Sequence, residues 1–597
     1  MPAYVRNSVS DFLASPDSAI IARLTTAYAA DGFVSQYTKA TVAWALTLPA
    51  LRSELRRLLV DLPSAEKWQL LLEFPLYRLR RRIDAVLVLP ACIVVIEIKT
   101  GADAFDSAGK RQAIEYAQDL RDFHSASKSK ALVPVLWAFD VQAGPYCPST
   151  FEPKSGVSPL FLVGERGLAD VLKSVGAGAA FPSMSAAGVV GKAWDEAAYE
   201  PVPSVIDAAI VLFAGHGVRE IALAGARNLN EATEAVFRAI QAAREKSKHA
   251  VVFLTGVPGA GKTLAGQNIV HNAMAHGLEH EGDVVYLSGN TPLVVVLREA
   301  LARDQYQREV SAGKPSRLRD TRATTRATIQ HVNDFLKEYV HGSSAPPSGH
   351  VIVFDEAQRA WDARQGKEKF GREASEPLLI LETMARLSDW SVTVCLIGLG
   401  QEINDGEEGF AGWAEAIQTL SAKAHGRWTV SGPQEVFGGE RGVQALGDMP
   451  DGVSNVPDDA LHLDVPMRSY RSPRFGDWVD ALLSGDVVSA KKLADEMAYT
   501  LRLTRDLEEA RSWLKREALG ERRTGLLASS GARRLRADGI GETLNATDGA
   551  AIAHWYLNPP GDIRSSLALE VPANEYTSQG LELDFACLCW GGGFGRP

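Results

Sequence analysis

Residues 251–270, VVFLTGVPGAGKTLAGQNIV, decide how the larger part of the chain is read. An apolar, β-branched run leads into Gly256, and after four intervening residues Gly261, Lys262 and Thr263 open an amphipathic segment. This order predicts a buried strand, a tight loop and a helix, the setting in which successive backbone N–H groups turn toward a phosphate. Gly256, Gly259 and Gly261 give the loop freedom to do so. Lys262 would bring a point charge to the β and γ phosphates, and the Thr263 hydroxyl would ligate magnesium. Further along, HVIVFDEAQRAWD (350–362) ends an apolar strand on two acids. Asp355 is expected to hold the magnesium ion and Glu356 to orient the water that attacks the γ phosphate. ATP and Mg2+ are therefore the expected cofactors. The runs VVYLSG, VTVCLIG, GLLAS and FACLCW alternate with helical patterns, which predicts parallel sheets covered by helices, an α/β architecture.

The N-terminal stretch WQLLLEFPLYRLRRRIDAVLVLPACIVVIEIKTG (68–101) carries a second pattern. Its punctuation predicts three strands, about Gln69 to Pro75, Ile83 to Leu89 and Cys92 to Thr100. A turn centred between Pro90 and Ala91 places Asp84 opposite Glu97, and period-two alternation puts Glu97 and Lys99 on one face. A turn near Arg78 and Leu79 would also set Glu73 opposite Asp84. Buried like charges facing each other are unfavourable unless a cation lies between them. Asp84, Glu97 and, from the second turn, Glu73 are therefore candidate magnesium ligands, with the Ile98 carbonyl as a further oxygen and Lys99 placed to position or deprotonate a hydrolytic water. The plain alternative is an ordinary sheet with an edge ion pair between Glu97 and Lys99.

With 46% hydrophobic and 23% charged residues in 597, the chain cannot be wholly disordered, collagen-like or embedded in a membrane. A formal net charge of -10 means that nucleic acid can be held only by local basic surfaces. Arg78, Arg80, Arg81 and Arg82 form one candidate, and KPSRLRDTRATTR (Lys314 to Arg326) another. Five scattered cysteines fit neither a disulfide framework nor paired zinc ligands, and the N-terminus lacks an apolar signal region, so a cytoplasmic protein is expected. The most apolar run, Ala85 to Ile98, contains Pro90 and Glu97 and falls short of the ~20 residues that cross a bilayer, so no membrane partner is expected.

The order of the P-loop, DEAQR, LIGLGQEI, SYRS and TSQGLELD resembles the motifs of superfamily 1 helicases, most closely the Schlafen group-three type of DNA/RNA helicase domain, over roughly residues 205 to 597. The resemblance implies that Gln401 senses the γ phosphate, that Arg471 reaches it from a second lobe, and that Gly580 and Glu582 contact nucleotide and couple it to the strand. It also implies that the stretch around Asn290 touches the nucleic-acid backbone. In the family a further arginine motif follows this last element; Arg596 in GGGFGRP does not match it, which implies ATP binding more firmly than turnover and a second lobe incomplete at its C-terminus. The pattern of Asp84, twelve intervening residues, then Glu97 and Lys99 resembles the PD-(D/E)xK nuclease superfamily. Gln112 and Tyr116, four apart on the following helix, are similar to the QxxxY element of its RecB-like branch. The family's helical acid is matched by Glu54 or by Glu73.

The expected organisation is a restriction-endonuclease-like mixed sheet in 1–175, a linker over 176–204, and two RecA-like P-loop lobes in 205–450 and 451–597, with the Gly-rich stretch Gly438 to Pro457 as the hinge. The expected function is an ATP-dependent helicase or translocase coupled to a metal-dependent nuclease, acting on DNA rather than RNA, with a role in phage defence or repair implied by the resemblance alone. The alternative is a nucleotide-gated nucleic-acid-binding switch that does not cleave.

Overall fold

The computed structural model describes residues 3–590, except residues 31–36, 77–80, 102–103, 129, 139, 143–155, 177–190, 198, 200–203, 214–225, 258, 279–282, 343–344, 399–408, 423–426, 439–445, 447–448, 465–473, 497–500 and 518–521. The chain divides into two compact units, one of Met1–Val202, Pro473–Arg505 and Lys515–Arg522, the other of Pro203–Ser472, Asp506–Leu514 and Arg523–Pro597.

The first unit is built on β1 (Val5–Ser8), β2 (Gln69–Leu76), β3 (Arg81–Val88), β4 (Cys92–Lys99), β5 (Ala131–Ala138) and β6 (Phe161–Val163), lying side by side in chain order. Pairing is antiparallel as far as β4 and parallel from β4 to β6. The register follows from the tight turn at Pro90: Ala85 faces Ile96 and Val88 faces Ile93, so Asp84 stands at the position opposite Glu97. Between β2 and β3, Leu72 faces Ala85 and Phe74 faces Ile83, but the intervening Glu73 drops out of the ladder. Its backbone is left-handed (φ 52°), a bulge-like break in the strand. The helix Tyr37–Asp61 lays Trp44, Leu48, Leu51 and Leu55 over one face of the sheet, against Leu70, Leu87 and Val94. The helix Ser107–Phe123 takes the other face.

The second unit carries an all-parallel sheet of β7 (His249–Gly256), β8 (Val284–Ser288), β9 (Ile329–His331), β10 (Val351–Asp355), β11 (Ser391–Gly398), β12 (Trp428–Gly432), β13 (Val453–Pro457) and β14 (His462–Leu463). The order is β13–β12–β7–β11–β10–β8–β9, and β14 continues along β7 where β12 leaves it. All eight residues of β7 are buried, since helices cover both faces, and its sequence is accordingly a continuous apolar run without alternation. Val252, Leu254, Val353 and Leu396 meet one helical layer, while Phe253, Phe354 and Ile397 meet the other. β15 (Thr524–Ala528) and β16 (Phe585–Cys589) form a separate parallel pair.

The strands beyond residue 450 modify the sequence reading. β13 lies inside the stretch taken for a hinge, and both β13 and β14 belong to the same sheet as the P-loop strand. β13 is an edge strand with four of five residues exposed, so its sequence shows no apolar period by which it could be found.

Candidate nucleotide and phosphodiester sites

In an open parallel sheet, ligands gather outside the carboxyl ends of the strands. β7 ends there at Gly256, and the loop that follows holds Gly259 (φ 78°) and Gly261 (φ 90°) in the left-handed region, directly before the helix Lys262–Asn272. The buried Lys262 ammonium folds back to donate to the carbonyls of Gly256 (2.9 Å) and Val257 (3.3 Å). Thr263 Oγ1 donates to Asp355 Oδ2 at 3.0 Å, which joins the loop to the tip of β10. Burial, and next the charge of Glu356, push the Asp355 carboxyl up to about 6. A carboxylate so placed favours a cation beside it, and Thr263 and Asp355 are a suitable pair for magnesium. Glu356 adopts a left-handed backbone (φ 56°) at the end of the strand. Gln401 and Arg471 lie outside the described residues.

Two side chains here escaped the sequence reading. The Tyr286 hydroxyl donates to Asp355 Oδ2 at 2.6 Å, from a ring buried in β8. Gln358 is fully buried; its Nε2 donates to Glu356 Oε2, and its Oε1 accepts from the Gly398 amide at 3.1 Å. One amide therefore ties the acid to the end of β11. The only sequence signal was a polar-tipped residue inside VVYLSG and a glutamine directly after an acid pair.

Asn290 caps the helix Thr291–Ser311, its Oδ1 accepting from the Leu293 amide at 3.2 Å. Gly580 packs on it with a left-handed backbone (φ 73°), and a Cβ there would lie 2.4 Å from Asn290 Nδ2. The Glu582 carbonyl accepts from the Tyr556 hydroxyl at 3.0 Å. The structure thus brings Asn290 and Gly580 together. Gly580→Ala is expected to lower unfolding stability by about 1–3 kcal/mol, through strain and overpacking. Gly541→Ala, where an added Cβ meets nothing within 4 Å, is the control in the same denaturant titration.

In the first unit, Lys99 Nζ donates to Glu97 Oε1 (2.7 Å) and to Gln112 Oε1 (3.1 Å), and Gln112 Nε2 donates to the Tyr116 hydroxyl (2.6 Å). The four residues form one chain running from β4 onto the helix Ser107–Phe123, which Asp106 caps. Asp84 Oδ2 accepts from the Ile98 amide at 2.7 Å. Burial first, then the charges of Glu97 and Glu73, hold the Asp84 carboxyl well above the usual range. Burial also raises Glu97, against the pull of Lys99. Glu97 is 3% exposed, and its Oε2 has no hydrogen-bond partner unless Asp84 carries a proton that bridges the two carboxyls. A divalent cation would satisfy both groups at once, so these residues fit a magnesium ion. Among the described residues no group of three or more His, Cys, Asp or Glu is arranged to hold a metal, so such an ion would rest on this pair and main-chain oxygen.

Glu73 is engaged elsewhere: Oε1 accepts from Trp44 Nε1 (2.7 Å) and Oε2 from Arg82 Nε (2.9 Å). Glu54 Oε2 accepts from the Ala169 amide at the head of the helix Leu168–Gly176 (2.9 Å). Of the basic run, Arg81 pairs with Glu115 at 3.1 Å, while Arg78 and Arg80 lie outside the described residues.

A parallel sheet whose inner strand hands over to a glycine-bordered lysine loop, with an acid pair two strands away, defines a nucleotide-binding α/β protein of the helicase and ATPase class. Residues 249–597 match the family described as Schlafen group 3, DNA/RNA helicase domain. The match covers more than half of the chain, and the protein belongs to this family. Membership points to a function of nucleic-acid helicase and ATPase type. A search of curated proteins finds no match to the chain. Among the described residues no helix is long and apolar enough to cross a membrane.

Proposed function

We propose that this protein is an ATP-driven nucleic-acid translocase joined to a magnesium-dependent phosphodiesterase, with DNA as its nucleic acid. Residues 1–175 would form the nuclease-like domain, and the remainder two RecA-like lobes after a linker. The observation that carries the coupling is the buried Glu97 carboxylate, bonded to Lys99, with the half-buried Asp84 at the position opposite it.

At the nucleotide site, Lys262 would exchange its loop carbonyls for the β and γ phosphates, and Thr263 and Asp355 would hold the metal, which would supply charge neutralisation there. Glu356, fixed by Gln358, accepts the proton of the attacking water. Gln401 and Arg471 are assigned to the γ phosphate by the motif order. At the second site magnesium would supply charge neutralisation at the scissile phosphate. Asp84 and Glu97 would hold it and Lys99 would orient or deprotonate the water, while Gln112 and Tyr116 keep Lys99 in place. The test is cleavage of an end-labelled single-stranded DNA in magnesium, with ATP turnover followed in parallel. Cleavage that needs magnesium, together with turnover that rises on adding the strand, is the expected result; binding without any cleavage would favour the non-cleaving switch.

Tyr286 enters this account as a positioning residue for Asp355. Gly266 makes room for its ring, since a Cβ there would lie 3.1 Å from Tyr286 Cε2. Tyr286→Phe keeps the ring and removes the donor. Loss of one hydrogen bond to a charged group is expected to weaken Mn2+–ADP binding about tenfold in an electron-paramagnetic-resonance titration. Unchanged affinity would remove Tyr286 from the site.

A further inference from the structure

We infer that the outer face of the helix Leu318–Thr328 is a track for the phosphodiester backbone of the nucleic acid, carried by Arg319, Arg322 and Arg326, an assignment that rests on the nucleic-acid reading above. The helix turns Thr321 and Thr325 inward, and Thr321 Oγ1 donates to the Ala302 carbonyl of the helix Thr291–Ser311 at 3.0 Å. At 3.6 residues per turn, the three arginines then fall within about 60° of one another on an exposed flank about 110° from the two threonines, and Asp320 points away from them. All three are exposed.

Glu299 and Asp304, the acids on the neighbouring helix closest to the stripe, are already committed. Glu299 lies between two guanidinium groups, accepting from Arg303 at 2.7 Å and from Arg322 at 2.7 Å, so one carboxylate answers two cations. Asp304 is paired with Arg308 at 2.7 Å. Arg319 and Arg326 form no ion pair among the described residues. Near Arg326 lies Arg298, whose Nε donates to the Ile329 carbonyl and whose charge and that of Arg326 act on each other; Asp334 offsets Arg298 from the other side. A surface that keeps surplus fixed cations is relieved by a polyanion that releases its own counterions on binding.

The stripe also leads somewhere. Thr321 sits beside Ala302 and Arg322 beside Glu299, so the two helices run antiparallel and Arg326 lies toward the end that begins at Thr291. The strand that follows, β9, ends at His331, whose Nε2 is 3.0 Å from Thr291 Oγ1 and 3.2 Å from the Gly289 carbonyl. Asn290 and Gly580 meet at that same point. A backbone lying on the arginines would therefore be directed to the carboxyl ends of β8 and β9, on the same edge of the sheet as the nucleotide loop and three to four strands across from it.

The experiment is fluorescence anisotropy of a labelled single-stranded DNA with the full chain across a salt series. The charge-removing pair Arg319→Gln and Arg326→Gln is expected to lower affinity about fivefold or more and to reduce the slope of log affinity on log salt by about 1.4, that is 0.7 per lost phosphate contact. The pair Arg319→Lys and Arg326→Lys should keep the wild-type slope, and labelled ADP should bind all three proteins alike. Wild-type affinity and slope in the glutamine pair would overturn the track alone. A wild-type protein that binds no strand would overturn the track together with the nucleic-acid reading.

Discussion

Lys262→Ala is expected to lower ATP affinity and turnover by about 10³-fold or more, because it removes the only lysine charge that the P-loop offers and with it two charge-assisted hydrogen bonds. Lys262 is 8% exposed, and its ammonium lies among the carbonyls of Gly256 and Val257. It is thus confined to the loop before any phosphate arrives, and binding exchanges these carbonyl bonds for stronger ones to the phosphate oxygens. Titration of a fluorescent ATP analogue reads the affinity, and phosphate release reads the turnover. Nucleotide binding equal to wild type would mean that the loop between β7 and the helix Lys262–Asn272 is only a structural turn.

The second large effect joins activity to stability with opposite signs. Glu97→Gln is expected to reduce magnesium-dependent strand cleavage by about 10²–10³-fold, as befits loss of a metal-holding carboxylate. The same substitution should leave the metal-free unfolding midpoint at or above that of wild type. Half-buried Asp84 and buried Glu97 face each other in a desolvated setting that raises both carboxyls, so removing one charge relieves the other. Lys99→Ala should lose cleavage to a similar extent but lower stability, since it leaves Glu97 Oε1 without its donor at 2.7 Å. An ordinary edge ion pair behaves differently: both substitutions would destabilise slightly and neither would touch cleavage. Activity against a labelled oligonucleotide, with denaturant unfolding in EDTA beside it, separates the two cases.

Much of this was legible before the structure. The β3–β4 register could be worked out because Pro90 marks a tight turn, and the β2–β3 register because a second turn was placed near Arg78 and Leu79; a period of two then gives the cross-strand neighbours, apart from Glu73. β7, β8, β10 and β11 stood out because strands buried on both faces are written as unbroken apolar runs. β9 and β14, of three and two residues, are too short to carry a period, and β13 is too exposed. Glu73 shows a different limit. Register arithmetic sets it against Asp84, but a left-handed backbone breaks the alternation and its carboxylate goes to Trp44 and Arg82. Nothing in a one-dimensional pattern announces such a bulge at a glutamate. Tyr286 was hidden for a related reason: within a buried strand its ring is indistinguishable from core packing, and only the 2.6 Å contact with Asp355 reveals the hydroxyl's task.

On the proposed function, two separate pairs of side chains in this polypeptide would hold magnesium, Thr263 with Asp355 for a nucleotide and Asp84 with Glu97 for a phosphodiester. Anomalous diffraction from crystals grown with ADP and manganese tests it most directly. Two peaks are expected, one against Thr263 and Asp355 and one between Asp84 and Glu97. A peak at the nucleotide alone, with the Asp84 and Glu97 side chains turned apart, would contradict the account.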